Sequence, residues 1–198
     1  HRVSKKEVDI LDIKKSLIYD AFEDNDGLLN FNQVKQLGLS YYTLNLMLAN
    51  EEICSDERGL YSLPEVYVDE WFAIQHRFPK GIFSLDSALW LHGLSLTVPF
   101  QPTLSFPYGT NTKKIKQNNI LPIVLRSFYD KGIERLERQP NQIISLYSKE
   151  RTLVECLRPI YKMDIQLISS AFQIYFKKSE HNLEELYYYG QLFKVTSK

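Results

Sequence analysis

Residues 9–63 hold three short runs of helical periodicity and two β-prone segments, each separated from the next by turn-forming residues. This punctuation limits the possible folds more than any other feature of the chain. "DILDIKKSLIYDAF" (9–22) places Ile10, Ile13, Leu17, Ala21 and Phe22 on one helical face, and "EDNDG" then stops the helix. "NFNQVKQLG" predicts a second, shorter helix carrying Val34 and Leu37, with Gly38 as its left-handed cap. Ser40 caps a third helix, "SYYTLNLMLANEE", whose Leu44, Met47 and Leu48 face inward. Segments 53–55 and 60–63 flank a polar turn ending in Gly59 and predict a hairpin.

Three helices followed by a hairpin predict a winged helix-turn-helix over residues 4–65. In that module the third helix enters the DNA major groove and its early residues meet base edges. Here those residues are Ser40, Tyr41, Tyr42, Thr43 and Asn45. Lys5, Lys6, Lys14, Lys15, Lys35 and Arg58 are the candidates for phosphate contact. The charge opposes this. Residues 1–66 hold seven Lys/Arg against twelve Asp/Glu, a net of −5, and the third helix carries no cation. An interaction module with a winged helix that does not bind DNA is the alternative. Residues 67–198 carry a net of +5. There Lys113, Lys114, Lys116 and Arg126 are either a solvated surface or an additional basic patch that strengthens phosphate binding.

Residues 66–80 read as a linking helix with a stripe of Val66, Trp71, Ile74 and Phe78. The stretch "GIFSLDSALWLHGL" (81–94) contains the residue types of a hydrolase triad. A helix over 86–92 separates them. Asp86 and His92 differ by about 9 Å of rise and roughly 240° of rotation, and Ser87 and His92 by about 7.5 Å and roughly 140°. The stretch is a capped helix closed by Gly93, with His92 bonded to nearby backbone in the turn. Cys54 and Cys156 form no C-x-x-C pair and read as free buried thiols; scattered histidines and distant cysteines supply no zinc set.

"FPKGIFSLDSALWLHGLSLTVPFQPTLSFPYGTNTKKI" resembles the hallmark region of the AbiEi antitoxin family, from bacterial type IV abortive-infection toxin–antitoxin systems. The resemblance rests on Gly81, Ser87-Ala88-Leu89, His92-Gly93-Leu94, Pro99 and Phe106-Pro107-Tyr108-Gly109. "ISLYSKERTLVECLR" (144–158) is similar to the family's second motif, with Glu155 where many relatives carry Asp. The resemblance implies an antitoxin and autorepressor. It would bind inverted repeats in its own promoter with two protomers, and counter a nucleotidyltransferase-like toxin. The chain lacks the Gly-Ser and D-x-D pattern that such a toxin uses to hold metal, so no catalytic role and no cofactor are expected.

Segments 103–106, 120–126, 132–137 and 142–146 are β-prone, and residues after 148 are helical in period. The expected fold class is α+β: an N-terminal winged helix, then a small mixed α/β domain over 81–198 ending in helices. His1-Arg2-Val3 reads as a cloning remnant. No apolar run is long enough to span a bilayer, and a cytoplasmic location without a membrane partner is expected.

Overall fold

The computed structural model describes residues 5–195, of mixed α and β structure. The chain divides into two compact units, residues 1–77 with 137–144, and residues 78–136 with 145–198. The expected boundaries at 65 and 80 did not foresee that eight late residues fall with the first unit.

The first unit begins with α1 (Lys5–Glu23), β1 (Leu28–Asn30), α2 (Phe31–Gln36) and α3 (Tyr41–Ala49). The turn formers act as their chemistry requires. Gly27, at φ +77, donates its N–H back to Phe22 at 2.7 Å and closes α1. Asn30 and Gln33 form a reciprocal capping box at the start of α2. Ser40 caps α3 by accepting the Thr43 N–H. Strands β2 (Cys54–Glu57) and β3 (Leu60–Ser62) form the expected hairpin, and β1 adds to it antiparallel, giving the order β1-β3-β2. Three residues are too few to show strand alternation, so β1 has no clear sequence signal. Ile18, Phe22, Leu29, Val34, Leu44, Met47 and Ile53 make the core.

Two inward assignments fail. Ile10, Ile13 and Leu17 are 48%, 61% and 56% exposed, and Leu37 is also exposed. Helix α1 carries two apolar stripes, and the core takes the one through Ile18 and Phe22, roughly a third of a turn away. The linking helix is shorter than expected: α4 spans Glu70–Arg77. Its start is set by buried Asp69, whose carboxylate accepts the N–H groups of Trp71 and Phe72. Arg138 pairs with Asp69 at 3.3 Å, and Gln142 bonds both the Asp69 N–H and the Tyr67 carbonyl.

The second unit contains β4 (Ile82–Phe83), α5 (Leu85–Leu91), β5 (Thr103–Pro107), α6 (Lys113–Gln117) and β6 (Leu121–Leu125). They are followed by β7 (Ile133–Gln139) and β8 (Gln142–Tyr147), whose stretch 137–144 falls with the first unit, and then by α7 (Lys149–Glu155), a 3-10 turn at Pro159–Tyr161, α8 (Ile165–Lys177) and α9 (Leu183–Leu192). The sheet is mixed, in the order β6-β5-β4-β8-β7, with β5/β6 and β4/β8 parallel and β4/β5 antiparallel. Leu89, Leu94, Leu153, Ile168, Ala171 and Tyr175 pack together between the helices. Helix α5 ends as its sequence demands. Gly93, at φ +69, donates to Trp90, and Leu94 donates to Leu89. The His92 backbone N–H bonds Ala88 within that turn, but its ring does not bond there. Its Nε2–H reaches the carbonyl of Tyr147 at 2.7 Å, tying α5 to the end of β8. The expected pair of buried thiols is half right: Cys156 is buried and Cys54 is half-exposed.

Arg151 of α7 is fully buried. Its guanidinium lies 3.5 Å from the Tyr147 ring centroid, donates to the carbonyls of Phe128 and Lys131, and meets Glu155 at 3.1 Å. Burial pushes the Glu155 carboxyl above its ordinary range, against the pull of Arg151. Arg151→Met takes from that buried carboxylate its directly bonded cation and is expected to cost about 3–5 kcal/mol. Urea denaturation measures this, and R151M/E155L should recover most of the loss.

Burial also holds His92 below its usual range. A depressed imidazole contributes stability that is present above the ordinary histidine pKa and is lost as pH falls from there through the lowered pKa of the folded state. From pH 7.5 to 5.5 the native chain should lose more stability than H92Q, read from paired urea midpoints.

Candidate nucleic-acid interface

Helix α3 presents an outer face of Tyr41, Tyr42 and Asn45, all exposed, with Tyr42 at 75%. Its buried face is Thr43, Leu44 and Met47. Thr43 must therefore be withdrawn as a base-reading residue. It has no exposed surface, and its hydroxyl donates to Ser40 Oγ at 3.1 Å. Ser40 is half-buried, and its oxygen is already occupied by the cap. The Tyr41 ring packs 5.7 Å from Phe31, an exposed aromatic that the sequence reading did not include. The outer face thus offers two phenols and an amide, which can donate and accept hydrogen bonds and stack, but no cation.

The cations around it are divided. Lys6, Lys14 and Lys35 are exposed. The Lys5 side chain lies outside the described residues. Lys15 is not available as a phosphate contact, because its ammonium is 2.6 Å from Glu52, which also accepts from Tyr19 and Asn50. The bond to Glu52 holds Lys15 above its ordinary range, and the bond to Lys15 holds Glu52 below its own.

Arg58 is exposed at the hairpin turn, where its carbonyl bonds the His76 ring at 3.1 Å. The turn is braced next door. Arg77 grips Glu57 through two bonds of 2.8 and 2.7 Å, which lowers the Glu57 pKa. Sequence reading placed Arg77 and Glu57 on separate elements and gave no sign that they meet.

In the second unit, Lys113, Lys114 and Lys116 sit exposed on α6, anchored by buried Ile115. Arg126 is exposed, its guanidinium 5.2 Å from the Tyr108 ring. Asp86 and Ser87 both serve Thr103, and His92 serves Tyr147. Asp86 accepts from the Thr103 hydroxyl, Ser87 Oγ accepts the Thr103 N–H, and His92 holds Tyr147. Among the described residues, no group of three or more His, Cys, Asp or Glu side chains is placed to hold a metal ion. No helix among them is long and apolar enough to cross a membrane.

No protein-family model matches the chain, and no curated protein matches it.

The cap and the exposed face of α3 can be probed separately. Ser40→Ala removes the cap and should lower stability by about 1 kcal/mol. Tyr42→Ala should stay within about 0.5 kcal/mol of the native chain. Thermal melts of the two variants measure the contrast. A Lys15/Glu52 double-mutant cycle should give a coupling below about 1 kcal/mol, because the pair is partly solvated.

Proposed function

We propose that the first unit is a winged helix whose third helix reads DNA, and that the protein is an autorepressing antitoxin of the AbiEi type. The observation that carries the DNA reading is the outer face of α3. Tyr41, Tyr42 and Asn45 stand exposed on a capped helix, followed by a hairpin with exposed Arg58 at its turn. Tyrosine and asparagine on such a helix hydrogen-bond base edges and contact thymine methyls. Lys6, Lys14, Lys35 and Arg58 supply phosphate contacts from the first unit, and Lys113, Lys114, Lys116 and Arg126 supply further positive charge. Inverted repeats in the promoter would be occupied by two protomers, one on each half-site. The antitoxin role, through the second unit and against a nucleotidyltransferase-like toxin, rests on the sequence motifs at 81–109 and 144–158. A non-catalytic chain acting in the bacterial cytoplasm completes this reading.

A second reading is favoured by a specific observation. The face of α3 carries no cation, and Lys15 is held by Glu52. A winged helix with that electrostatic profile also suits protein contact rather than phosphate contact.

Fluorescence anisotropy on the upstream promoter duplex, in a salt series, separates the two. The repressor reading expects affinity to fall steeply with salt and to exceed that for random duplex by at least about a thousandfold. Y42A should remove about 1–3 kcal/mol of that preference while leaving the melting temperature in place. Binding without salt dependence or sequence preference would sink the repressor reading. Co-expression with a downstream nucleotidyltransferase-like toxin tests the antitoxin role: growth should be rescued by the native chain and not by a chain lacking the second unit.

A further inference from the structure

We infer that the second unit carries a site for single-stranded nucleic acid, in which Tyr108 stacks on an unpaired base while Lys113, Lys114, Lys116 and Arg126 hold the phosphates. This goes beyond the repressor reading, in which those cations only add positive charge. It holds whether or not α3 reads DNA.

The topology brings the aromatic and a cation together. Strands β5 and β6 run parallel, with Pro107 opposite Leu125. The next residue of each, Tyr108 and Arg126, emerges at the carboxyl end of its strand beside the other. Ligands of open α/β sheets gather outside such carboxyl ends. The Arg126 guanidinium lies 5.2 Å from the Tyr108 ring centroid, within cation–π range, and Tyr108 is still 68% exposed. The turn that follows is pinned, because the Thr110 N–H and hydroxyl both donate to the Pro107 carbonyl. Lys113 then opens α6, its N–H held by Asn111 Oδ1 at 3.0 Å. Buried Ile115 fixes the inner side of α6 and leaves Lys113, Lys114 and Lys116 outside.

Nothing local neutralises this surface. Residues 87–129 include the four cations and no aspartate or glutamate. Among the described residues, none of the four is paired with a carboxylate. An exposed ring beside unpaired cations supplies the two parts that strand binding needs, a flat face for a base and positive charge along a backbone. The ring favours a single strand over a duplex. A duplex is held by its phosphates and read at its groove edges, while an unpaired base offers its face for stacking. The ring also weighs against a phosphopeptide, which cations alone would recognise.

Fluorescence anisotropy of the full chain tests this. The probes are oligouridine and oligothymidine strands roughly twelve nucleotides long, and a non-promoter duplex of the same length. At about 50 mM salt a strand should bind at least about tenfold more tightly than the duplex. The tighter of the two strands tells RNA from DNA. Y108A should weaken strand binding at least about fivefold with the salt slope unchanged, and Y108F should retain it. K113A/K114A should weaken it about tenfold and flatten the salt slope by about 1–1.5. These variants should melt with the native chain, since all three positions are exposed. Y42A, on α3, should bind strands as the native chain does. The inference is overturned if neither strand binds by about 100 μM, or if the duplex binds as tightly. It is also overturned if Y108A binds unchanged, which leaves a patch that reads charge alone, or if Y42A loses strand binding, which places the site on α3. Failure of the promoter titration bears on α3 and leaves these outcomes as they are.

Discussion

The second unit is organised around one charged side chain taken wholly out of water. Arg151 lies inside, where its guanidinium meets an aromatic face, two carbonyls and Glu155. The carbonyls belong to Phe128 and Lys131, in the loop between β6 and β7, and the ring belongs to Tyr147 at the end of β8. One arginine therefore fixes the loop, the last strand and the helix that carries it. Burying such an ion is unfavourable unless its geometry is satisfied nearly everywhere, so these parts cannot shift independently. The bond from His92 to the Tyr147 carbonyl adds α5 to the same assembly.

The first unit meets a different constraint. Its sheet is small and its helices after α1 are short, so helix caps and turn glycines carry much of the specification. Asn30, Ser40 and Asp69 each satisfy free backbone N–H groups at a helix start. The same economy shapes the outer surface of α3. The residue three places after its cap is drawn inside, and the three exposed polar positions lie on the opposite side.

Much of this was legible in the sequence. The three N-terminal helices, the hairpin, the four longer strands of the second unit and the capped helix at 85–91 follow from period, caps and glycines. What failed had physical reasons. Helical period could not choose between the two stripes of α1, since both are apolar and only tertiary packing selects one. Thr43 looked like surface because threonine is polar, yet its hydroxyl is satisfied by Ser40 and its methyl packs inward. Lys15 looked like a free cation because its partner, Glu52, is 37 residues away. Arg151 was not singled out in the sequence, where it stands only within the motif at 144–158. A signal did exist: a glutamate four residues on, at Glu155, flanking the apolar pair Leu153-Val154.

The membership of residues 137–144 in the first unit bears on how the chain is made. Asp69 is a buried carboxylate whose cation, Arg138, follows it by 69 residues, and Gln142 follows later still. During synthesis the first seventy-seven residues emerge with their hydrophobic core complete and this carboxylate unanswered. Domains generally fold in the order they leave the ribosome. Here the earlier unit must wait for a hairpin that arrives after most of the later unit's sheet, so its final ordering is tied to the translation of the other half.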